Sequence, residues 1–220
     1  MTDTVIVDDH QLLATALVIS LDRAGIGAVA VTPRSLPELL DAVLEHRPDT
    51  ALVDLDLGVH GDATPLIAPL TDAGVRVIVM TGVSDRLRIA AALEQGALAY
   101  RSKTDGVDGL VDTVRRIRAG GEPLELRDRA VMLEELRRAR TNRRAALAPF
   151  RRLTEREDDT LKALAAGYSV REIADAWVVS ESTVRTHVRS LLGKLGVRSQ
   201  LAAVAMALRA GWLEVADRTA

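Results

Sequence analysis

The stretch Ala51-Leu52-Val53-Asp54-Leu55-Asp56-Leu57-Gly58 sets acids at the end of an apolar run. Ala51 to Val53 reads as a short buried strand, and Asp54 falls where such a strand leaves the core. In an open parallel α/β sheet, ligands bind outside the carboxyl ends of the strands, so an acid there is placed for chemistry rather than for packing. Taken alone, Asp54 and Asp56 read better as turn and helix-capping residues. The surroundings of the stretch decide between the two.

Strands and helices alternate on either side of it. Thr4 to Val7 is a β-branched run, Gln11 to Ala24 has apolar residues at helical spacing, and Ala28 to Val31 is a second short strand. Ser35-Leu36-Pro37-Glu38 is a capping box that opens the next helix. After the Asp54 strand come a helix near Thr64 to Ala73, a strand from Arg76 to Met80 and a helix near Asp85 to Gln95. A strand from Leu98 to Tyr100 and a helix from about Asp105 to Ala119 follow, closed by Gly120-Gly121. Five strands alternating with five helices predict an α/β doubly wound five-stranded parallel sheet with helices on both faces.

Composition narrows the function. The chain of 220 residues is 48% hydrophobic and 27% charged, which suits one or two soluble domains with a proper core. It has no apolar run long enough to span a bilayer, and Met1 to Asp9 lacks the features of a signal peptide, so the expected location is the cytoplasm, away from any membrane. The absence of cysteine excludes disulfides, thiol nucleophiles and cysteine metal clusters. Aromatics at 2% argue against a stacking platform for single-stranded nucleic acid. Residues 1–120 hold 11 basic and 17 acidic side chains, whereas residues 151–220 hold 11 and 9, a tilt that suggests two domains with different partners.

The strand ends can then be taken together. The first strand ends in Asp8-Asp9, the third in Asp54 and the fourth in Thr81, and Lys103 closely follows the fifth. Three carboxylates at one sheet edge repel unless a cation joins them, and hard oxygen ligands with open water positions suit Mg²⁺. A lysine supplies a point charge for an anion, and a threonine hydroxyl can donate to the same anion. Separately these are a turn, an N-cap and a solvated charge; jointly they describe a phosphoryl site in which one aspartate is the nucleophile.

With Val7-Asp8-Asp9-His10, Pro48-Asp49 ahead of Leu52-Val53-Asp54, Val79-Met80-Thr81-Gly82 and Gly96-Ala97-Leu98-Ala99-Tyr100-Arg101-Ser102-Lys103 in order, residues 1–121 resemble the receiver domain of a two-component response regulator, a flavodoxin-like fold. The resemblance implies that Asp54 accepts a phosphoryl group from a sensor histidine kinase. It also implies that Asp9 binds Mg²⁺ directly, Asp8 helps through water, and the backbone carbonyl of Asp56 completes the protein ligands. Thr81 would move onto the phosphoryl group, Lys103 would pair with it, and Tyr100 would rotate inward on activation. The chain departs from the pattern at Gly58, where many receivers carry proline, in a loop from Gly58 to Asp62 that looks shortened, and at Arg101, a position usually apolar. Asp56 and Val83 stand where the family tunes the lifetime of the phosphate.

Residues 122–152 differ in kind. Leu126, Ala130, Leu133 and Leu136 recur at helical spacing among arginines and glutamates, which predicts a charged linker helix from about Arg127 to Arg140, ended or interrupted by Thr141-Asn142 and then Ala148-Pro149; a dimerisation or domain-locking helix, and arginines that brush DNA phosphate, are the alternatives.

Residues 153–220 predict a small all-α domain. Thr154-Glu155-Arg156-Glu157 and Ser169-Val170-Arg171-Glu172 are capping boxes, and Ser180 can cap a third helix. That helix carries Thr183, Arg185, Thr186 and Arg189 outward after a short turn, as in a helix-turn-helix, and offers donors to a major groove. His187 and Lys194 more plausibly meet phosphates. Leu153-Thr154-Glu155-Arg156-Glu157, Gly167-Tyr168-Ser169, Glu172-Ile173-Ala174, Val179 through His187, and Lys194-Leu195-Gly196-Val197 resemble the LuxR-type helix-turn-helix. Trp177 and Gln200 depart from it, and the last helix, from about Gln200 to Ala210, matches one the family often uses to pair two DNA-binding domains.

Over nearly its whole length the chain thus resembles a NarL/FixJ-type response regulator. The resemblance implies a transcription factor, not an enzyme, that binds double-stranded promoter DNA, as a homodimer when active, under the control of Asp54 phosphorylation. Two rivals are a transcription factor whose receiver serves only for dimerisation and a phosphohydrolase using the Asp54-Leu55-Asp56 pair. In phosphatases of that type the pair sits on the first strand, with Thr or Val two residues after the second acid; here Gly58 follows.

Overall fold

The computed structural model describes residues 3–32, 35–82, 85–121 and 126–213. The chain divides into two compact units, Met1–Arg137 and Arg138–Ala220.

The first unit is built on β1 (Thr4–Val7), β2 (Ala28–Val31), β3 (Thr50–Asp54), β4 (Arg76–Thr81) and β5 (Ala99–Ser102). All pairings are parallel, in the order β2-β1-β3-β4-β5. The order reverses beside β1, so β1 and β3 flank the crevice in which ligands bind in such sheets. β1 and β3 are buried along their full length, which is why they read as near-continuous apolar runs rather than as alternating ones. Their pleat still sorts the side chains. Val5, Val7, Ala51, Val53, Val77 and Val79 pack with residues of α2 (Leu36–Glu45), α3 (Ile67–Asp72) and α4 (Arg86–Glu94), whereas Ile6, Leu52, Ile78 and Met80 pack with α1 (Gln11–Arg23) and α5 (Gly106–Arg118).

Element positions follow the expectation, with two local differences. The helix expected from Thr64 opens as a 3-10 turn over Thr64–Leu66 before α3, because Pro65 and Pro69 remove amide donors from the first turns. The helix expected from Asp105 is likewise preceded by a 3-10 turn, Lys103–Asp105, which the Ser102 hydroxyl caps through the Thr104 amide. Val83 lies outside the described residues.

The linker helix differs more. α6 runs over Leu126–Leu147, straight through Thr141-Asn142, whose modest helix penalties are outweighed by the arginine, alanine and leucine around them; it stops only ahead of Pro149. Of the face read from the sequence, Leu133 and Leu136 pack as expected, and the side chain of Leu126 lies outside the described residues. Met132 and Leu136 are buried in the receiver core with Leu133 beside them, while Ala130 is exposed. Arg129 donates to the carbonyls of Leu93, at 2.5 Å, and Ala97, at 2.9 Å, near the end of α4, and Arg86 makes a two-pronged pair with Glu135 at 3.0 and 3.2 Å. The first half of α6 is therefore part of the receiver unit rather than a free spacer.

The second unit holds the rest of α6, then α7 (Glu155–Ala165), α8 (Val170–Trp177), α9 (Glu181–Leu195) and α10 (Gln200–Ala210). The capping boxes at Thr154 and Ser169 form as read, and Ser180 and Ser199 cap α9 and α10 through the amides of Thr183 and Ala202. Phe150 is buried and stacks on Trp212 with ring centroids 5.4 Å apart, which fixes the turn over Phe150–Arg152 to the helical core. Trp177 sits beside the cluster of Ile173, Val184 and Val188, with the Arg156 guanidinium 5.1 Å from its ring centre.

Glu157 is buried at the centre of this unit and accepts from Ser190 Oγ and Lys194 Nζ, each at 2.6 Å. Burial would push its carboxyl up, but the Lys194 and Ser190 hydrogen bonds and the Thr154 amide outweigh this and hold it down at about 2. A depressed acid stabilises the fold above its ordinary value of 4.5, and that contribution is lost as the pH falls toward 2. Both tryptophans lie in this unit. Thermal unfolding followed by their fluorescence is expected to show wild type losing about 1–2 kcal/mol over this range, after allowance for solvent screening, relative to Glu157→Gln. Parallel pH profiles for the two proteins would show that the contacts add nothing.

Candidate functional site

The carboxyl edge of the sheet gathers the residues singled out from the sequence. Asp8 and Asp54 are 3% and 1% exposed, so both carboxylates sit where a charge is costly without compensation. Lys103 reaches in from the end of β5 and donates to Asp54 Oδ2 at 2.7 Å and Asp8 Oδ1 at 2.9 Å. The Asp56 amide donates to Asp54 Oδ1 at 3.2 Å, and the His10 amide to Asp8 Oδ1 at 2.8 Å. His10 Nδ1 lies 2.7 Å from Asp9 Oδ1. Potential ligand atoms of Asp8, Asp9, His10 and Asp54 all fall within 4.8 Å of one another.

Charge in this cluster is incompletely compensated. Burial pushes the Asp54 carboxyl up, against the hydrogen bonds from Lys103 and the Asp56 amide, and its net pKa stays raised. Burial would lower Lys103, but its bonds to Asp54 and Asp8 prevail and the ammonium is held above its usual range. One cation is thus shared between two buried acids. Asp8 Oδ2 is buried with no hydrogen-bond partner among the described residues. An oxygen in that position calls for a cation or an ordered water.

Gly58 explains its own departure from the receiver pattern. Its φ is +57°, which proline cannot adopt, and a Cβ added there would lie 2.7 Å from Asp9 Oδ2. The Asp9 carboxylate therefore points into space that only a glycine leaves open. The Asp56 side chain caps the same turn by accepting from the Gly58 amide at 3.3 Å, leaving its carboxylate in a structural role. The Gly58 to Asp62 loop is drawn back to β3 by an isolated antiparallel bridge between Asp56 and Asp62.

Arg88, on α4, was not legible as a site residue. It donates to the Leu55 carbonyl at 2.5 Å and to Asp62 Oδ1 at 3.0 Å, pinning that loop, and it shares the wall of a cavity of about 310 Å³ with Asp54, Asp9, Thr81 and Lys103. Thr81 and Gly82 also line a second cavity of about 480 Å³, together with Tyr100 and with Met132 of α6. Thr81 thus lines both the cavity at the acidic site and the one that Tyr100 lines. Arg101 is accommodated because its Nε donates to the buried Thr113 hydroxyl at 2.7 Å.

In the second unit, α8 and α9 meet through Val178, a residue in the left-handed region at φ +56°. Thr183, Arg185, Thr186 and Arg189 are exposed on α9 and His187 is half-buried. Arg185 pairs with Glu181 at 2.9 Å, the Thr186 hydroxyl donates to the Ser182 carbonyl at 2.9 Å, and Thr183 Oγ1 lies 2.8 Å from Ser180 Oγ. Lys194 stands apart from this group. Its ammonium is drawn inward onto Glu157, because a buried carboxylate needs a countercharge, and it ties α9 to α7 instead of standing free for phosphate. No single helix among the described residues is long and apolar enough to cross a membrane.

Comparison with known proteins agrees with both halves. The family described as response regulator receiver domain matches residues 4–115, and that described as bacterial regulatory proteins, luxR family, matches residues 151–207. The chain is 31% identical to the transcriptional regulatory protein LnrK of Bacillus subtilis, over 96% of this chain and 98% of that one. It is 33% identical to the nitrate/nitrite response regulator protein NarP of Escherichia coli, over 93% of each. Among solved structures it aligns with the RcsB response regulator of Salmonella typhimurium at 20% identity and a TM-score of 0.49, covering 93% of this chain and 98% of that one. With one family model over the first unit, the other over the helix-turn-helix, and relatives more than 30% identical over nearly the whole length, the chain belongs to the response regulators that join a receiver domain to a LuxR-type DNA-binding domain.

Proposed function

We propose that the chain is a phosphorylation-switched transcription factor in which Asp54 is the phosphoacceptor and α9 reads promoter DNA. The observation that carries this reading is Asp54 itself, buried, raised in pKa and bonded to Lys103 at the mouth of an open cavity. In the transfer from a histidine kinase, an Asp54 carboxylate oxygen attacks phosphorus, a P–O bond forms, and the P–N bond to the kinase imidazole breaks. Lys103 neutralises the incoming charge, and the Thr81 hydroxyl turns to donate to a phosphoryl oxygen. Withdrawal of Thr81 from its present place opens room toward Tyr100 and Met132, which couples the site to α6.

Asp8, Asp9, Asp54 and the Asp56 carbonyl suit a magnesium ion: the donors are hard oxygens, Asp8 Oδ2 lacks a partner, and the Gly58 cradle keeps Asp9 directed inward. Bound Mg²⁺ would draw charge off the phosphoryl oxygens. Replacing Gly58 with Ala is expected to raise several-fold the Mg²⁺ concentration needed for half-maximal phosphorylation, with the fold retained. An unchanged Mg²⁺ dependence would show that the close approach to Asp9 is without consequence.

Thr183, Arg185, Thr186, His187 and Arg189 are the residues proposed to meet DNA. The exposed Leu201 and Leu208 of α10, seven residues apart on one side, suit pairing of two such units in an active homodimer. Relatives named as transcriptional regulators favour a switch over an enzyme, working in the cytoplasm where its DNA lies. The test is incubation with Mg²⁺ and a small phosphodonor followed by intact mass. A single adduct that requires Mg²⁺ supports the proposal, and its absence contradicts it.

A further inference from the structure

The second unit opens with six arginines between Arg138 and Arg152 and no acidic residue, in a chain whose net charge is -2. Arg143 and Arg144 are exposed on the second half of α6, and Arg151 and Arg152 are exposed on the turn that follows. Among the described residues, none of these four has an ion-pair partner. The turn that bears Arg151 and Arg152 is fixed, because Phe150 between the two arginine pairs is buried against Trp212. A helix kept only for solubility intersperses acids four residues from its bases, since like charges at that spacing destabilise it; here Arg143 and Arg144 have no acid within four residues on either side. The cost is recovered if a polyanion lies alongside.

We infer that the segment Arg143–Arg152 is a second DNA-contacting surface, which takes the phosphate backbone beside the bases read by α9. This extends the DNA-binding reading above and rests on it. The duplex backbone is favoured over other polyanions because the same compact unit carries the helix-turn-helix, and guanidinium groups grip phosphate in two-pronged fashion. Such contacts position the protein without reading sequence, so they extend the footprint and steepen the salt dependence.

The experiment measures binding of the full chain to a long mixed-sequence duplex and to one trimmed to about two helical turns, each over a range of salt. Each phosphate contact contributes about 0.9 to the slope of log affinity against log salt concentration. Combined Arg143→Gln, Arg144→Gln, Arg151→Gln and Arg152→Gln is expected to lower that slope by about 2 or more and to weaken binding to the long duplex about tenfold or more at ~0.1 M salt. The matching set of lysine replacements should restore the slope, which separates charge from folding. An unchanged slope in the glutamine variant, or an equal or larger loss on anionic lipid vesicles than on duplex, would overturn the inference. Arg189→Ala distinguishes it from the reading beneath it: sequence preference lost with the linker slope unaltered leaves α9 as reader and tests the segment alone.

Discussion

Replacing Asp54 with Asn is expected to abolish phosphoryl acceptance, with no adduct in the intact mass under conditions in which wild type gains one. The carboxamide has neither the charge nor the nucleophilic oxygen pair that attacks phosphorus. The other acids cannot substitute. Asp8 is tied to Lys103 and the His10 amide, the Asp56 carboxylate caps the Gly58 turn, and Asp9 projects toward Gly58. Asparagine is nearly isosteric and removes a costly buried charge, so the variant is expected to fold, which circular dichroism checks. An adduct that persists in Asp54→Asn would move the acceptor to another residue.

The second large effect is on DNA. Arg185→Ala or Arg189→Ala should cost roughly 1–3 kcal/mol on a specific duplex if either residue reads a base edge. Arg185 is held at 2.9 Å by Glu181, but both side chains are largely exposed, and such a surface pair contributes too little to keep the guanidinium from a groove. Arg189 has no ion-pair partner among the described residues. Comparison of specific and mixed-sequence duplexes checks the assignment: a loss confined to the specific duplex marks base reading, and equal losses on both would make these arginines phosphate contacts.

Much of the first unit was legible because its information is local. β-Branched and apolar runs reproduce Thr4–Val7 and Ala28–Val31 to the residue. The acidic site was legible because its members stand at strand ends, and a parallel sheet brings its strand ends together. Arg88 was not, since nothing in its neighbourhood on α4 reveals a carbonyl of β3's loop within reach. Gly58 was noticed as a departure, but its reason, the Asp9 carboxylate lying where a Cβ would stand, exists only in three dimensions. The linker was misjudged in extent, and on its packed face Met132 was missed and Ala130 wrongly included, for the same cause. Tertiary burial of Met132 and Leu136 selects the packed side, and weak local breakers at Thr141-Asn142 do not stop a helix of strong formers. Lys194 shows the limit of charge counting, because the sequence displays a cation near the end of α9 but not the buried Glu157 that claims it.

The central claim is that a phosphoryl group on Asp54 changes DNA binding, and it is tested most directly by titrating one duplex with wild type and Asp54→Asn, each with and without Mg²⁺ and a small phosphodonor. The account predicts tighter binding on phosphodonor treatment of wild type and no change in Asp54→Asn. Equal affinity of treated and untreated wild type, with the adduct present, would contradict it and leave the receiver as a dimerisation module alone.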